Sequence, residues 1–186
     1  GAQIRPNETL VYNGSYQLSG MMTSLAQITM KTEPIKTSSK SYLRLCVQVA
    51  TYTKWDSFFK IRDLYESYVH PYSLKPTLFK RNVYEGGYTK QEKYTFNAAG
   101  SQVSAYSKRR DKPAETENVN ISANTFDAVT LMYKLRTVDL SKMAKGRSLR
   151  FSLICDKKEQ FIWSKMMGKE TVSAGNLGKI ECYKLS

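Results

Sequence analysis

The sequence predicts a single, mainly β domain of antiparallel strands with one short helix around residues 124–136. Three observations support this fold class. Apolar and polar residues alternate with a period of two along several segments, as half-buried strands require. A Gly86-Gly87 pair separates two such segments, which is typical of a tight hairpin. The 186 residues match the size of one domain, which at this length buries roughly 70% of its unfolded surface.

Strand alternation is clearest at residues 41–51. Every second residue from Leu43 to Val49 is apolar, so these side chains share one face of a strand. The same pattern at Leu149, Phe151 and Leu153 predicts another strand with that apolar face. Further strands are predicted at residues 9–18, 25–31, 61–69 and 179–185.

The hairpin at Gly86-Gly87 also predicts a pairing register, because a two-residue turn needs positive φ and glycine adopts it without steric cost. Counting from the turn pairs Glu85 with Tyr88, Val83 with Lys90, Arg81 with Glu92, Phe79 with Tyr94 and Lys80 with Lys93. One face therefore gains an ion pair and an aromatic pair. The two lysines meet on the other face, which we expect to contact water or hold an anion.

Two further turns and one long loop are predicted downstream. A hairpin turn at residues 156–159 would bring two pairs of apolar residues together on one face, Leu153 with Ile162 and Leu149 with Met166. Residues 97–100 are typical of a turn. The polar stretch 108–120 predicts an exposed loop.

The predicted helix begins near Asn124, a residue type favoured at helix N-caps, and Asp127 follows at the spacing of a capping box. Its buried face would comprise Phe126, Val129, Met132 and Tyr133. Gly146 would close the loop that follows. Residues 55–60 are compatible with a short helical turn.

The composition argues against several classes of protein. No apolar run approaches the roughly 20 residues that a helix needs to cross a bilayer, so we expect a protein that does not span the membrane. Cys46, Cys155 and Cys182 lie far apart in the sequence, which predicts neither a zinc site nor a disulfide framework. Phosphate-binding glycine loops and calcium-binding motifs are missing from the sequence. We therefore predict no metal and no cofactor.

The net charge of +13, from 29 basic and 16 acidic residues, has two interpretations. It favours a polyanionic partner such as nucleic acid, an acidic glycan or lipid headgroups. It also suits a dispersed, solubilising surface, since residues 108–112 form the one dense basic run. The thirteen tyrosines suit base stacking or sugar binding but equally suit a sheet. We expect no nucleic-acid partner, because charge and tyrosine are its only support.

No catalytic signature is present, and we predict a protein that is not an enzyme. The one histidine, His70, precedes a proline and is typical of a turn. The candidates for the paired acids of a glycosidase are Asp63, Glu66, Glu85 and Glu92. Arg62 beside Asp63, and Arg81 opposite Glu92, instead predict carboxylates that are neutralised by cations.

Short motifs spread over nearly the whole chain carry a resemblance to a known family. They are ETLVY at 8–12, RDLYESY at 62–68, LKP at 74–76, FKR at 79–81, EGGY at 85–88, DAVT at 127–130, YKLR at 133–136, GKETV at 168–172 and GK at 178–179. Together they resemble a bacterial family of exported proteins of unknown function.

The resemblance implies export to the periplasm of a Gram-negative cell, with a signal peptide removed. It also implies a curved, barrel-like antiparallel sheet similar to the YmcC-like fold of capsule-assembly lipoproteins, and no known reaction. The family continues through further strands, so we expect residues 1–186 to form a single domain that lacks C-terminal strands of the family. The family usually has Asp at the position of His70, which weakens a functional role for that turn.

We therefore expect a non-enzymatic periplasmic binding or carrier module for an apolar or anionic component of the cell envelope. The candidate ligand contacts on the concave face of the sheet are Arg62, Arg81, Tyr84 and Arg136. Their alternative role is buried ion pairing across the sheet. The alternative function is a protein-interaction scaffold in envelope or polysaccharide assembly. The expected partner is thus a lipid, a glycan or an envelope protein, and the sequence indicates no oligomeric state.

Overall fold

The computed structural model describes residues 3–186, and 61% of the chain is strand. The strands are β1 (Thr9–Leu18), β2 (Met21–Lys36), β3 (Ser41–Thr51), β4 (Arg62–Val69), β5 (Pro76–Glu85), β6 (Tyr88–Phe96), β7 (Gln102–Arg109), β8 (Glu115–Asn120), β9 (Thr125–Phe126), β10 (Ser148–Cys155), β11 (Lys158–Ser173) and β12 (Lys179–Leu185). The helix α1 spans Ala128–Thr137, and short 3-10 helices lie at Thr53–Trp55, Leu140–Lys142 and Gly175–Leu177. Within residues 3–186, no helix is long and apolar enough to cross a membrane.

The strands form two sheets. β1 to β8 make an eight-stranded antiparallel sheet in chain order, so each strand pairs with the next one along the chain. The smaller sheet has the order β12-β11-β10-β9, and β9 runs parallel to β10. The prediction of a mainly β, antiparallel fold with one short helix is confirmed. Neither sheet closes on itself or curls strongly, so the barrel-like part of that prediction is not confirmed.

Most predicted strands are present, although some ends differ. The predictions at 9–18, 41–51 and 179–185 match β1, β3 and β12. β2 is longer than the predicted segment 25–31 at both ends, because it pairs with β1 from Met21 and with β3 up to Lys36. β4 begins at Arg62, and Ile61 makes an isolated bridge to Glu85.

The Gly86-Gly87 hairpin has the predicted register, and both glycines have positive φ. Arg81 Nη1 lies 2.9 Å from Glu92 Oε1 across the two strands. The other predicted pairs are also present, namely Glu85 with Tyr88, Val83 with Lys90, Phe79 with Tyr94 and Lys80 with Lys93. The exposed side chain of Lys93 agrees with the expectation that its face contacts water.

The predicted register of the second hairpin is wrong by two residues. Asp156 and Lys157 both have positive φ and form a two-residue turn, whereas the prediction assumed a four-residue turn. The observed pairs are Leu149 with Ser164, Phe151 with Ile162 and Leu153 with Gln160. The buried side chains of β10 are Ser152 and Ile154, whereas Leu149, Phe151 and Leu153 of the predicted apolar face are half-buried.

Helix α1 begins later than predicted. Asn124, the expected N-cap, has a φ of 60° and lies before β9. Asp127 is the observed N-cap, and its side chain accepts a hydrogen bond from the Thr130 N–H. Phe126 therefore belongs to β9 and not to the helix, and Met132, expected on the buried face, is exposed. Val129 and Tyr133 are buried as predicted.

Two other local predictions change. The stretch 108–120 is not one long loop, because β8 adds an eighth strand to the larger sheet and leaves only a short turn after β7. β8 can be a strand despite its mostly polar sequence, because both of its faces are largely exposed. The helical turn expected at 55–60 is a 3-10 helix at Thr53–Trp55 followed by a further turn. The turn predicted at residues 97–100 is present, with Gly100 at positive φ.

The core lies between the larger sheet, α1 and β10. Leu45, Tyr94 and Val103 of the sheet are fully enclosed, and they cluster with Tyr133 of α1 and Ile154 of β10. Since alternate residues of a strand point to opposite faces, one face of the larger sheet supplies this core. The helix and the smaller sheet therefore cover the same face.

A buried carboxylate attaches α1 to the larger sheet. Asp127 is fully buried and accepts hydrogen bonds from the Thr130 N–H at 2.9 Å and the Thr130 hydroxyl at 2.7 Å. Ser67 of β4 donates a third hydrogen bond at 2.6 Å. Burial raises the pKa of Asp127, and the hydrogen bonds oppose that shift. One residue thus caps the helix and fixes it to β4.

We expect Asp127→Ala to lower the free energy of unfolding by about 2–4 kcal/mol, because it removes the cap and leaves buried Ser67 and Thr130 groups without an acceptor. Asp127→Asn retains an acceptor oxygen and should cost less. Urea unfolding followed by circular dichroism measures both. Asp139→Ala, which removes the half-buried cap of the 3-10 helix at Leu140–Lys142, is the matched control. An equal loss for Asp139→Ala would contradict the anchoring role.

Candidate functional site

A cleft of about 810 Å³ opens where the larger sheet, α1 and the smaller sheet meet. Its walls come from the β4–β5 turn, the β6–β7 turn, residues 122–126, α1, β10 and β11. This volume lies in the range of small-molecule sites, which are commonly lined by apolar side chains with a few placed polar groups. We refer to it as the phenylalanine cleft.

Four phenylalanines form the apolar part of this cleft, one from each of four strands. Phe96 ends β6 and Phe126 ends β9, and both are buried. Phe151 of β10 is half-buried, and Phe161 of β11 is exposed at the rim. The cleft thus offers an apolar surface that runs from the core outward.

Three cations lie among these aromatic residues: Lys75, Lys134 and Arg150. Lys75 Nζ donates a hydrogen bond to the Ala98 carbonyl at 3.0 Å. The Arg150 guanidinium lies 4.2 Å from the centre of the Phe161 ring, a distance that allows a cation–π contact. Among the described residues that line the cleft, none is acidic, so the lining itself carries net positive charge.

A hydrogen-bonded carboxylate holds the wall beside the cleft. Glu159 of β11 accepts hydrogen bonds from Ser152 Oγ at 2.7 Å, the Ser122 N–H at 2.9 Å and Thr125 Oγ1 at 3.1 Å. Burial acts to raise the pKa of Glu159, but the hydrogen bonds outweigh it and lower the pKa to about 2. This residue ties β9, β10, β11 and the segment before β9 together.

A second groove, of about 710 Å³, lies on the other side of the β4–β5 turn. Ser73 and Lys75 of that turn line the phenylalanine cleft, whereas Tyr72 and Leu74 line the second groove. Among the described residues that line the second groove, Lys36 is the one cation. It is therefore the weaker candidate for an anionic ligand.

The four predicted ligand contacts lie elsewhere, and none is among the described residues that line the phenylalanine cleft. Arg62 Nη2 pairs with Asp56 Oδ2 at 2.7 Å. Arg81 pairs with Glu92, and its guanidinium lies 5.4 Å from the centre of the Tyr65 ring. Arg81 and Glu92 thus form the cross-sheet ion pair of the alternative interpretation.

The other two predicted contacts are also in different places. Arg136 of α1 binds Glu8 with both ends of its guanidinium, at 2.7 and 3.0 Å. Tyr84 is exposed on β5, with Lys60 Nζ 6.0 Å from its ring centre. The structure therefore does not gather the four residues into one site, and their role in ligand binding stays a prediction.

The prediction that Arg62 neutralises Asp63 is wrong. Arg62 turns to Asp56, and Asp63 is buried with only 4% of its surface exposed. Burial and a hydrogen bond to Glu85 raise the pKa of Asp63 to about 7. The Tyr84 N–H, which donates to Asp63 Oδ1 at 3.1 Å, acts in the opposite direction. The prediction does hold for Glu92, which pairs with Arg81 and with Lys90.

The histidine and the cysteines were the other candidates for catalysis or metal binding. His70 lies in the β4–β5 turn, and its Nδ1 faces the Ser73 N–H at 3.3 Å, as expected for a turn residue. Cys46, Cys155 and Cys182 are free thiols. Within residues 3–186, no group of three or more His, Cys, Asp or Glu side chains is arranged to hold a metal ion.

The sequence prediction missed the cleft residues, although one signal for them was present. With a two-residue turn at Asp156 and Lys157, Arg150 pairs with Trp163, and Phe161 pairs with Ser152. This register places an arginine beside aromatic residues on the rim of the hairpin. The incorrect register hid that arrangement.

A family model of proteins of unknown function, DUF3108, matches residues 11–186. The chain belongs to the DUF3108 family. No curated protein and no solved structure matches this DUF3108 chain. The family assignment agrees with the expected resemblance to proteins of unknown function, and it leaves export and a YmcC-like fold as predictions.

The raised pKa of Asp63 predicts how stability depends on pH. In the unfolded chain the carboxyl loses its proton near pH 3.8, and in the folded chain near pH 7. Between these values the folded state holds more protons, so this group's contribution is fully present below pH 3.8 and is lost as the pH rises to about 7. We expect Asp63→Asn to remove a decline of roughly 1–3 kcal/mol in unfolding free energy between about pH 5 and pH 8.

The measurement is urea unfolding of both proteins across this pH range. Asp56→Asn is the control, because hydrogen bonds from Arg62 and Thr51 lower the pKa of Asp56. Its effect should be constant between about pH 5 and pH 8. Parallel pH profiles for the wild-type protein and Asp63→Asn would contradict the assignment.

Proposed function

We propose that this protein is a non-enzymatic binding or carrier module of the periplasm that holds an anionic amphiphile of the cell envelope in the phenylalanine cleft. The observation that carries the proposal is the combination of Phe96, Phe126 and Phe151 with the cations Lys134 and Arg150, in a cleft whose described lining contains no acid. Apolar surface favours a hydrocarbon chain, and unpaired cations favour a phosphate or carboxylate.

The arrangement of the cleft fits such a ligand along its length. The buried phenylalanines lie at the inner wall, whereas Arg150 is exposed at the rim with Phe161. An amphiphile would therefore place its chain against the core and its headgroup toward Arg150 and Lys134. Burial of apolar surface contributes roughly 25 cal/mol per Å², or about 0.8 kcal/mol per methylene, so a chain of several methylenes supplies a large part of the roughly 8 kcal/mol that micromolar affinity requires.

The location rests on the resemblance to exported bacterial proteins, and the basic surface supports an anionic ligand over a neutral one. A closer likeness to the YmcC-like fold and its barrel-like sheet, and with it a role beside capsule-assembly proteins, stays a prediction of that resemblance. Native mass spectrometry of protein taken from periplasm would test for a bound adduct of the expected class.

The binding test uses two probes with the same acyl chain, lysophosphatidylglycerol and the uncharged monoacylglycerol, both below their critical micelle concentrations. Arg150→Met and Lys134→Met each remove a charge but keep an apolar stem. We expect each variant to bind lysophosphatidylglycerol about tenfold more weakly, which is ~1.4 kcal/mol of binding free energy. Its affinity for monoacylglycerol should be nearly unchanged. Isothermal titration calorimetry measures both affinities.

Lys40→Met is the matched control, since Lys40 is exposed in the β2–β3 turn and does not line the cleft. It should bind both probes like the wild-type protein. Absence of binding for both probes, or an equal loss for both in the Arg150 and Lys134 variants, would reject the cleft as an anionic amphiphile site.

A second candidate function, a protein-interaction scaffold in envelope assembly, is favoured by the edge strand β1. β1 pairs with β2 and contains no charged residue, whereas β8 and β12 contain acids or lysines that discourage strand pairing. An uncharged open edge is suited to accept a strand from a partner.

Hydrogen exchange of the full chain in concentrated periplasmic extract tests this candidate. The outward amides of β1 should become protected if a partner adds a strand there, whereas those of the charged edge β8 should not. Unchanged exchange at β1 would remove the scaffold from consideration.

A further inference from the structure

The end of the larger sheet that lies opposite the phenylalanine cleft carries exposed apolar and basic side chains together. In an antiparallel sheet that follows chain order, every second connection lies at the same end. The β1–β2, β3–β4, β5–β6 and β7–β8 connections therefore share one end, and the β4–β5 and β6–β7 turns of the cleft share the other. We call the first set the basic-apolar end.

Contacts join the connections of the basic-apolar end into one surface. Trp55 Nε1 of the β3–β4 connection donates to the Ser24 carbonyl of β2 at 2.9 Å. The Phe59 ring lies against Gly86, where an added Cβ would come within 2.3 Å of the ring. The Arg110 N–H donates to the Thr89 carbonyl at 3.1 Å. The surface thus extends from the first hairpin to the basic turn after β7.

Large apolar side chains project from this surface. Met21, Met22 and Phe58 are 71%, 72% and 80% exposed. β2 pairs with β1 from Met21 but with β3 only from Ala26, so the β1–β2 hairpin extends about 17 Å past the end of β3 at the usual rise per residue. The apolar residues therefore lie on projecting turns and not in a groove.

Exposed cations surround these apolar residues. Lys54 and Lys60 flank the aromatic segment of the β3–β4 connection. Arg109 ends β7, and Arg110 and Lys112 follow it. Lys54 Nζ lies 5.5 Å from the centre of the Trp55 ring. Of the acids at this end, Asp56 pairs with Arg62, Glu85 is half-buried beside Asp63, and Asp111 is exposed within the basic turn. Glu115 and Asp156 lie near Arg109 and Lys112, and they pair with Lys157 and Lys90.

We propose that the basic-apolar end docks on an anionic bilayer surface. Projecting methionine and phenylalanine side chains enter the boundary between headgroups and acyl chains, while lysine and arginine stay with the phosphates. Positive charge at this end complements the negative surface of such a bilayer. Docking in this orientation directs the phenylalanine cleft away from the membrane, so the two sites act separately.

Vesicle binding of the full chain tests this orientation. In a Trp163→Phe background Trp55 is the remaining tryptophan, and its emission reports contact with vesicles. We expect binding to phosphatidylcholine vesicles that contain about 30% phosphatidylglycerol, and weaker binding by about tenfold or more in roughly 0.5 M NaCl. Vesicles of phosphatidylcholine alone should bind much more weakly.

Two matched pairs of variants locate the contact. Phe58→Ser with Met22→Ser should weaken binding about tenfold, whereas Tyr72→Ser, at a side chain 93% exposed at the opposite end, should not. Arg110→Glu with Lys112→Glu should abolish the preference for phosphatidylglycerol, whereas Lys36→Glu with Lys40→Glu should retain it. Circular dichroism confirms that each variant is folded.

Absence of binding to either vesicle, or equal losses in the variants at the two ends, would overturn the proposal. Binding that depends neither on the phosphatidylglycerol content nor on the salt concentration would overturn it as well. Arg150→Met and Lys134→Met should bind vesicles like the wild-type protein. A failure here would therefore leave the function proposed for the cleft unaffected.

Discussion

The position of α1 depends on one buried carboxylate, and the phenylalanine cleft depends on α1. Burying a carboxylate away from solvent costs free energy unless its oxygens accept hydrogen bonds. Asp127 obtains them from the first turn of its own helix and from Ser67 of β4, so the cost is offset only when helix and sheet are correctly docked. This requirement fixes where Lys134 lies relative to β10.

Buried charge is handled in a similar way where the two sheets approach each other. Glu92 is enclosed but pairs with Arg81 and Lys90, and it accepts a hydrogen bond from the Tyr94 hydroxyl at 2.6 Å. Burial and the nearby Glu92 raise the pKa of Tyr94, which keeps the hydroxyl protonated as a donor. The Lys157 N–H donates to the same hydroxyl at 3.1 Å, so the turn of the smaller sheet rests on the charge network of the larger one.

The local fold was predictable from sequence wherever a residue type marks a backbone conformation that most other residues adopt only at a steric cost. Gly86-Gly87 determined a register because few turns place two glycines between alternating strands. Asp156 and Lys157 adopt the same kind of turn, with positive φ at both residues, but no glycine marks it. That missing signal displaced the predicted pairing of β10 with β11, and with it the location of Arg150.

The cleft itself was less predictable because its parts are distant in sequence. Lys75, Lys134 and Arg150 come from a turn, a helix and a strand that meet only in the folded chain. The Arg136–Glu8 pair joins residues 128 positions apart. Periodicity describes one element at a time, so it predicts which face of a strand is buried but not which elements share a cavity.

The separation between cleft rim and core has an evolutionary consequence. Phe161 and Arg150 lie at the surface, whereas the close-packed interior consists of other residues such as Leu45, Tyr94 and Ile154. Substitutions at surface positions usually change stability little. Rim residues can therefore be exchanged while the same interior continues to specify the fold.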